Sequence, residues 1–225
     1  MVPKHIAVAI DGPVGAGKSS IARAAAARLG YIYCDTGALY RSVGLYCRRN
    51  GVDLKNADEI AAQLGKIKLE IRLVDGIQHV FLNDEDVSEE IRLPEISMAA
   101  SAVSAVPAVR AALLDLQRNV AANNSAIMDG RDIGTVVLPN AEVKIFLTAS
   151  PEIRAKRRYD ELVAKGKDVK FDDVLRELNE RDYADMHRET APLKQADDAV
   201  LADTSELDFE QSVDLVCRII NDKIK

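Results

Sequence analysis

The sequence has few of the residues that mark secreted, membrane-spanning or metal-binding proteins. Its cysteines, Cys34, Cys47 and Cys217, lie far apart, form no C-x-x-C pair and share no cluster with the histidines. A scattered, odd set of cysteines predicts reduced thiols in a cytosolic protein, buried as small apolar side chains. No apolar run reaches the roughly 20 residues that a membrane span needs, and the N-terminus lacks the apolar segment of a signal peptide. We therefore expect a cytoplasmic protein that does not enter a membrane.

An excess of basic residues is also missing. The 225 residues include 30 lysines and arginines against 36 aspartates and glutamates, which gives a formal net charge of −6. Proteins that bind nucleic acids or membrane surfaces generally carry a basic excess, so we expect neither partner. A hydrophobic fraction of 48% suits one globular domain with a full core. No segment suggests an exposed apolar stripe, which favours a monomer that acts on small molecules.

The segment after the first apolar run matches the phosphate-loop pattern G-x-x-x-x-G-K-[ST]. Ile6–Ile10 is typical of a buried strand, Gly12–Ser19 carries the pattern, and Ser20–Leu29 is an alanine-rich helix. The backbone N–H groups of such a loop, and of the helix that follows, point at phosphate oxygens. We expect the lysine to reach the terminal phosphates and the serine after it to bind Mg²⁺. The alternative interpretation of this segment is a glycine-rich turn that contains a lysine by chance. The presence of both the preceding strand and the following helix argues against it. The residues predicted to contact ATP are Gly12, Pro13, Val14, Gly15, Ala16, Gly17, Lys18, Ser19 and Ser20.

Short apolar strands that alternate with helices predict an α/β protein with a five-stranded parallel sheet covered on both faces. Ligands bind such sheets at the carboxyl ends of the strands. Polar clusters follow three of these strands, at Asp35-Thr36-Gly37, Asp129–Asp132 and Asp203-Thr204-Ser205. The predicted strands are Ile6–Ile10, Tyr31–Cys34, Ala126–Met128, Val143–Leu147 and Ala199–Ala202.

The helices are predicted from apolar periodicity, capping residues and prolines in first turns. They are a helix from Ala38 to about Asn50, one capped by Asn56 that ends at Leu64, a pair broken at Val106-Pro107, one from Ser150-Pro151-Glu152 to near Gly166, one over Phe171–Thr190, and a last one capped by Asp208.

The segment after Gly65 changes to a period of two. Apolar and charged residues alternate over Ile67–Leu73, Asp75-Gly76 suits a two-residue turn, and Ile77–Leu82 is the return strand. An isolated hairpin is marginal in water. We therefore predict that it pairs with the segment near Val87 as a small antiparallel sheet, inserted beside the site of the phosphoryl acceptor.

The positions of the arginines are the second informative feature. Arg41 lies one turn into the helix after the first polar cluster, and Arg131 lies at the carboxyl end of a strand. Arg154, Arg157 and Arg158 are spaced i, i+3, i+4, so they share one face of a helix. Arginine binds phosphate with a planar, permanently charged fork, and phosphoryl transfer between two anions needs such neutralisation. Each arginine could also be a solvated or salt-bridged surface residue.

A third group of charges lies on the helix that follows. Arg181, Asp185 and Arg188 are spaced i, i+4, i+7 and share a face. On spacing alone, the aspartate is interpreted as an internal salt-bridge partner of one of these two arginines. No N-K-x-D guanine motif follows the phosphate loop, which argues against a GTPase.

Taken together, the motifs resemble those of bacterial cytidylate kinases over nearly the whole chain and in the same order. They are Ile10-Asp11-Gly12-Pro13 with the phosphate loop, Asp35-Thr36-Gly37 with Tyr40-Arg41, Asp129-Gly130-Arg131-Asp132-Ile133-Gly134-Thr135, Val143–Leu147 with its arginine helix, Glu180-Arg181-Asp182 and Ala191-Pro192-Leu193. The hairpin region resembles the extra sheet that this family carries. Val14 and Thr36 replace residues that are commoner in the family, and both keep the chemistry.

This resemblance implies transfer of the γ-phosphoryl group of Mg·ATP to CMP or dCMP, within pyrimidine nucleotide metabolism. It implies a core of about residues 1–36, 123–150 and 191–225, a monophosphate-binding region of about 37–122 and a lid of about 151–190. The implied roles are the acceptor phosphate for Thr36, Arg41, Arg131 and Arg188, cytosine for Ser101, Arg110 and Asp132, the sugar for Arg181 and Asp185, and the ATP lid for Arg154, Arg157 and Arg158. Asp35 is also implied to belong to the substrate-binding residues. Lys18, Arg131, Arg158 and Arg188 would be catalytic, and Ser19 would ligate the metal.

Two other functions stay open at this point. A kinase of the same fold for another small acceptor, such as shikimate or dephospho-coenzyme A, would share the phosphate loop and lid. A nucleotide-binding protein without turnover is the second, although the intact Lys18 and Ser19 argue against it. The combination of Asp129–Thr135 with Ser101 and Arg110 favours the cytidylate kinase resemblance.

Overall fold

The computed structural model describes residues 5–74 and 77–225. The strands are β1 Ala7–Asp11, β2 Ile32–Asp35, β3 Leu69–Val74, β4 Ile77–Leu82, β5 Glu85–Asp86, β6 Ala126–Gly130, β7 Val143–Thr148 and β8 Val200–Asp203. The helices are α1 Lys18–Leu29, α2 Thr36–Arg49, α3 Ala57–Gln63, α4 Pro94–Ser104, α5 Pro107–Asn123, α6 Pro151–Ala164, α7 Phe171–His187 and α8 Phe209–Ile224. A π-helical turn covers Ile133–Val137, and short 3₁₀ turns cover Leu64–Lys66 and Glu90–Arg92.

The central sheet is parallel and has the predicted five strands, in the order β2-β6-β1-β7-β8. Val8, Ala9 and Ile10 in the central strand β1 are all fully buried, because helices cover both faces of the sheet there. The strands end in polar residues at one edge. Asp11, Asp35 and Asp129 lie there side by side, since Asp11 pairs with Gly130 and Asp35 with Asp129.

The hairpin is confirmed as part of a separate antiparallel sheet, in the order β3-β4-β5. The segment near Val87 closes it as predicted, because Val87 N donates to Val80 O at 3.0 Å. The predicted Asp75-Gly76 turn lies outside the described residues. Gln78 links this insert to the end of β2: its Oε1 accepts from Asp35 N at 2.8 Å and its Nε2 donates to Asp35 O at 3.3 Å. The insert therefore borders the end of β2, where residues of the acceptor site are predicted.

Three predicted caps are present. Asn56 Oδ1 accepts from the backbone of Asp58 and Glu59, and Ser150 Oγ accepts from Ile153 N at 3.3 Å. Asp208 forms a complete capping box with the residue three positions on. These bonds satisfy N–H groups that the helices cannot pair internally.

Several predicted bounds were wrong by two or three residues. α1 begins at Lys18 instead of Ser20, because Gly17 enters the helix directly with a left-handed φ of 86°. α2 begins at Thr36 instead of Ala38, because the Asp35 side chain already caps it by accepting from Ala38 N. α7 ends at His187 instead of Thr190, because Arg188 takes an extended backbone and its Nε donates to the carbonyl of Ala191.

No single helix among the described residues is long and apolar enough to cross a membrane. Glu95–Ser104 and Pro107–Asn123 reach the length and apolar composition of a membrane span only when they are counted as one helix, and a bend of 99° separates them.

Candidate active site

The phosphate loop connects β1 to α1 in a shape that side chains would prevent. A Cβ on Gly12 would lie 2.0 Å from the carbonyl oxygen of Leu147, and the φ of this residue is +151°. Gly17 closes the loop with a φ of +86°. Neither position accepts an ordinary side chain. The glycines of the sequence pattern are therefore required by the backbone geometry of the loop.

Lys18 is buried at the base of this loop. Its Nζ donates to the Pro13 carbonyl at 2.7 Å. Burial, and then the charge of Arg131, lower the pKa of Lys18 to about 7, while Asp129 and Asp11 act in the opposite direction. A buried cation beside a second cation is suited to an anionic ligand, which would supply the missing negative charge.

Ser19 and Asp129 provide oxygen ligands next to the loop. Ser19 Oγ donates to Asp129 Oδ2 at 2.8 Å, and the Tyr33 hydroxyl donates to Asp129 Oδ1 at 2.8 Å. Burial, and then the charge of Asp35, raise the pKa of Asp129. A hydroxyl beside a carboxylate suits Mg²⁺, which prefers oxygen ligands and keeps several waters and substrate phosphates. The described residues contain no group of three or more His, Cys, Asp or Glu that could hold a metal, so phosphates would have to complete the shell.

The predicted acceptor arginines lie close enough to one another to interact electrostatically. Burial is the largest cause of the lowered pKa of Arg181, and Arg131 and Arg41 lower it further. Burial also lowers the pKa of Arg188, which feels the charge of Arg110. Cations that depress one another's pKa in a partly buried site form a strong anion-binding field.

Buried polar atoms without partners concentrate in the same region. Over residues 5–74 and 77–225, buried side-chain nitrogens and oxygens that lack a hydrogen bond belong to Arg41, Gln117, Thr135, Arg181 and Arg188. Such groups are rare in folded proteins and call for an explanation. Three of the five are arginines predicted to hold the acceptor nucleotide, so a bound anion would satisfy them.

The ion pairs within this cluster differ in part from the sequence-based interpretation. Asp185 does not pair with Arg181 or Arg188; it accepts from Arg131 Nε at 2.7 Å. The helical spacing is as predicted, but Arg131 approaches from the end of β6 and competes for the carboxylate. Asp132 accepts a hydrogen bond from Arg110, and its Oδ1 lies 3.6 Å from Arg188 Nη2.

The remaining predicted acceptor residues lie at the ends of β2 and α4. The Thr36 hydroxyl is buried and donates to Asp129 O at 2.8 Å. Arg41 Nη2 pairs with Asp35 Oδ2 at 2.5 Å while its Nε has no partner within the part of the chain that the structure describes. The carbonyl of Ser101 accepts from Ser104 Oγ.

The three arginines lie on one helix, α6, as predicted, but they have different partners. Arg154 is buried, and its Nη1 donates to Val14 O at 2.8 Å and to Asp182 Oδ2 at 2.5 Å. Arg157 donates to Thr204 O at 2.7 Å. Arg158 is exposed and pairs with Glu161. The first two are therefore fixed to the core, and Arg158 is the exposed member of the three.

Asp182 is a site residue that sequence reasoning did not assign. Its Oδ1 accepts from Val14 N at 3.0 Å, so this carboxylate and Arg154 together hold both backbone groups of one loop residue. The side chains of Arg154 and Asp182 are 6% and 7% exposed. Their separation of 28 positions leaves no local signal in the sequence.

Asp182→Asn should lower the free energy of unfolding by about 3 kcal/mol, because it leaves the buried Arg154 cation without its partner. The asparagine oxygen can still accept from Val14 N, so the loop bond is retained. Urea unfolding measures the effect. The control is Asp160→Asn, which breaks the exposed Lys156–Asp160 pair and should cost about 0–1 kcal/mol. Equal losses in the two variants would contradict the stabilising role of the buried pair.

Asp11 and Asp129 are two further buried acids that lie at the site. Asp11 accepts from Ile133 N and Gly134 N, both at 2.7 Å. Burial raises the pKa of Asp11 to about 6, and these two N–H groups oppose that shift. The available sequence signal for both residues was an aspartate at the carboxyl end of an apolar strand, since Asp11 ends β1 and Asp129 is the next-to-last residue of β6.

A phosphate loop that faces clustered arginines across the edge of a parallel sheet defines a P-loop kinase. The sequence pattern of the family described as "Cytidylate kinase" matches residues 8–222. The chain belongs to the cytidylate kinase family.

Similar proteins cover almost the entire chain. A cytidylate kinase of Caldicellulosiruptor bescii is 50% identical over 222 residues, which is 99% of this chain and 98% of that protein. One from Leuconostoc mesenteroides is 47% identical and covers 96% of this chain and 97% of its own length. The fold is also similar to the solved structure of an uncharacterized protein from Eubacterium ventriosum, with a TM-score of 0.56 over 97% of this chain and 99% of that one. The two sequences are 13% identical, so this similarity supports the fold alone.

Proposed function

We propose that the protein transfers the γ-phosphoryl group of ATP to CMP or dCMP, giving ADP and CDP or dCDP. The observation that carries this proposal is the position of Lys18. Its buried ammonium lies at the phosphate loop and within the electrostatic influence of Arg131 and Asp185, which belong to the acceptor cluster. The donor and acceptor phosphates would therefore meet between these groups.

On the donor side, the N–H groups of Gly12–Ser19 would hold the β- and γ-phosphates, and Lys18 would neutralise the transferring group. Ser19, supported by Asp129, would hold Mg²⁺, which supplies further neutralisation of the phosphate charge when bound. Arg157, fixed to Thr204, would line the ATP side. Arg158, exposed on α6 within the lid region of about 151–190, would reach the triphosphate from the lid side.

On the acceptor side, Arg41, Arg131 and Arg188 would bind the monophosphate. One of its oxygens attacks the γ-phosphorus while the bond to the β–γ bridging oxygen breaks, and ADP leaves with the electron pair. No covalent intermediate on the protein is required. The arginines raise the rate by orienting the nucleophile and by stabilising charge that spreads over the equatorial oxygens.

Base and sugar recognition would come from groups around the end of β6. Asp132 would accept from the cytosine amino group, while Arg110 and Ser101 would donate to N3 and O2 of the ring. Arg181 and Asp185 would hold the sugar. The pairing of Arg110 with Asp132 supports this proposal, because the pair keeps the two base-reading groups next to one another.

Asp132→Ala should lower kcat/KM for CMP by roughly 5- to 150-fold, because the amino donor would then stay unpaired in a closed pocket. UMP carries a carbonyl at that position, which a carboxylate repels, so UMP should lose little. Steady-state rates with both nucleotides measure the ratio. Equal losses for CMP and UMP would remove Asp132 from base recognition and leave it as a support for Arg110.

The proposal also includes the division into core, monophosphate-binding region and lid given above. We further propose that the protein is a cytoplasmic monomer. Two hydrophobic clusters support the division, one on the parallel sheet and one that joins α2, α4 and the insert. Cys34, Cys47 and Cys217 are all free thiols, which agrees with a reducing compartment.

The function is tested by a coupled assay for ADP with each nucleoside monophosphate as acceptor. We expect turnover with CMP and dCMP and much less with AMP and GMP. Turnover only with an acceptor such as shikimate or dephospho-coenzyme A would replace the proposal with another kinase activity. ATP binding without turnover on any acceptor would favour a nucleotide-binding protein.

A further inference from the structure

Gln117 is a buried polar side chain that the proposed mechanism does not use. It is 1% exposed, and neither Oε1 nor Nε2 of its amide has a hydrogen bond within the described residues. A buried amide that stays unpaired is unfavourable, so its presence at an interior position calls for a partner. The other unpaired buried groups belong to Thr135 and to three arginines proposed to hold the acceptor.

A cavity of about 260 Å³ lies against this amide. Gln117 forms its wall together with Arg110 on the same helix, Tyr40 on α2 and Thr190 after α7. Arg110 and Gln117 are seven positions apart, which is two helical turns, so they lie on one face of α5. The cavity therefore adjoins the guanidinium that is proposed to read the base.

Tyr40 connects this wall to the rest of the acceptor site. The Arg110 guanidinium lies 5.6 Å from the centre of the Tyr40 ring. Burial raises the pKa of Tyr40, while Arg110 and the nearby Gln117 amide oppose the shift. The Tyr40 phenol and the Gln117 amide are therefore neighbours on this wall.

One hydrogen-bond donor of the cytosine amino group has no partner in the proposed site. The exocyclic amino group of cytosine has two N–H donors, and the proposed contact with Asp132 uses one of them. A carboxylate can only accept, whereas an amide offers an acceptor on one side and a donor on the other. By turning over, an amide serves an amino group through Oε1 or a carbonyl through Nε2.

We propose that Gln117 is a further specificity-determining residue, whose amide contacts the exocyclic group at position 4 of the pyrimidine and sets how far a 4-oxo base is tolerated. This inference rests on the proposed function. Asp132 discriminates against the 4-oxo base, and Gln117 provides the donor that such a base needs.

The test compares Gln117→Leu with the unchanged protein, using CMP and UMP as acceptors at saturating ATP. We expect kcat/KM to fall by roughly 5- to 150-fold for UMP, whose carbonyl would keep only the repelling carboxylate as a neighbour. For CMP we expect a fall of about 2- to 10-fold, since Asp132 still accepts from its amino group. The ratio of CMP to UMP activity should therefore rise. Equal losses for the two nucleotides, or no loss for either, would overturn the inference.

Two controls separate a role in recognition from a role in folding. Leu114→Met changes the shape of the same wall without a hydrogen-bonding group and should leave the CMP to UMP ratio unchanged. The melting temperature of Gln117→Leu without nucleotide should be equal or higher, because an apolar group replaces an unpaired amide. A lower melting temperature with an unchanged ratio would assign Gln117 to packing. If the unchanged protein fails to use CMP at all, the proposed function fails, and this outcome is distinct from failure of the Gln117 inference.

Discussion

Lys18→Ala should lower kcat by about 10²- to 10³-fold, the usual effect of removing one preorganised group that stabilises the transition state. Lys18 lies in the phosphate loop and feels the charge of Arg131, which belongs to the proposed acceptor site. Its loss would leave negative charge on the transferring group without a buried counter-charge. Single-turnover rates with ATP and CMP measure the chemical step directly.

The matched control for this variant is Lys165→Ala. Lys165 is an exposed residue that follows α6 and pairs with Glu161, so its removal should leave kcat within a factor of two or so. Circular dichroism should show that both variants stay folded. Near-normal turnover in folded Lys18→Ala would contradict the assignment of the transferring phosphate to this loop.

Arg131→Ala and Arg188→Ala should each lower kcat/KM for CMP by roughly 10- to 150-fold, because each removes charge-assisted hydrogen bonds to the acceptor phosphate. ATP affinity should not fall with Arg131→Ala. The charge of Arg131 lowers the pKa of Lys18, so its removal favours the charged form that binds ATP. Initial rates over a range of CMP concentrations, with ATP affinity from calorimetry, separate the two sites.

Arg131→Lys distinguishes charge from geometry in this test. The lysine keeps a positive charge but lacks the planar fork that binds phosphate and Asp185 together. We expect it to recover only part of the lost activity with CMP. If ATP affinity falls as far as CMP affinity in Arg131→Ala, the arginine belongs to the donor site or to general stability.

The phosphate loop and the sheet were predictable because their signals are local and continuous. Gly12 must be glycine because a Cβ at this position would lie 2.0 Å from the Leu147 carbonyl oxygen, and the pattern around it has few other uses. A run such as Val8–Ile10 is buried on both faces only in a covered parallel sheet. The helix bounds were less predictable, since Asp35 and Gly17 act as helix ends through backbone angles that composition does not specify.

The partners of the charged residues could not be predicted from spacing. Helical periodicity places Arg154 and Arg158 relative to each other, but it does not say which of them faces the core. Arg154 faces the core because it pairs with Asp182, which lies on another helix. Asp185 likewise has helical neighbours at suitable spacing, yet its bond goes to Arg131 at the end of a strand. The Gln117 amide has no sequence signal at all, because its importance depends on a cavity formed by three other segments.

The Asp11 carboxylate lowers the entropy cost of bringing the two phosphates together. It directly precedes Gly12 of the phosphate loop, and its carboxylate holds the N–H groups of Ile133 and Gly134, which directly follow Asp132. The donor loop and the acceptor loop are therefore tied through one side chain in the centre of the sheet edge. Rigid-body freedom of one phosphate site relative to the other is removed during folding, before any nucleotide binds. Orientation of two reactants can account for several kcal/mol of a barrier, and this tie supplies part of that orientation before either nucleotide binds.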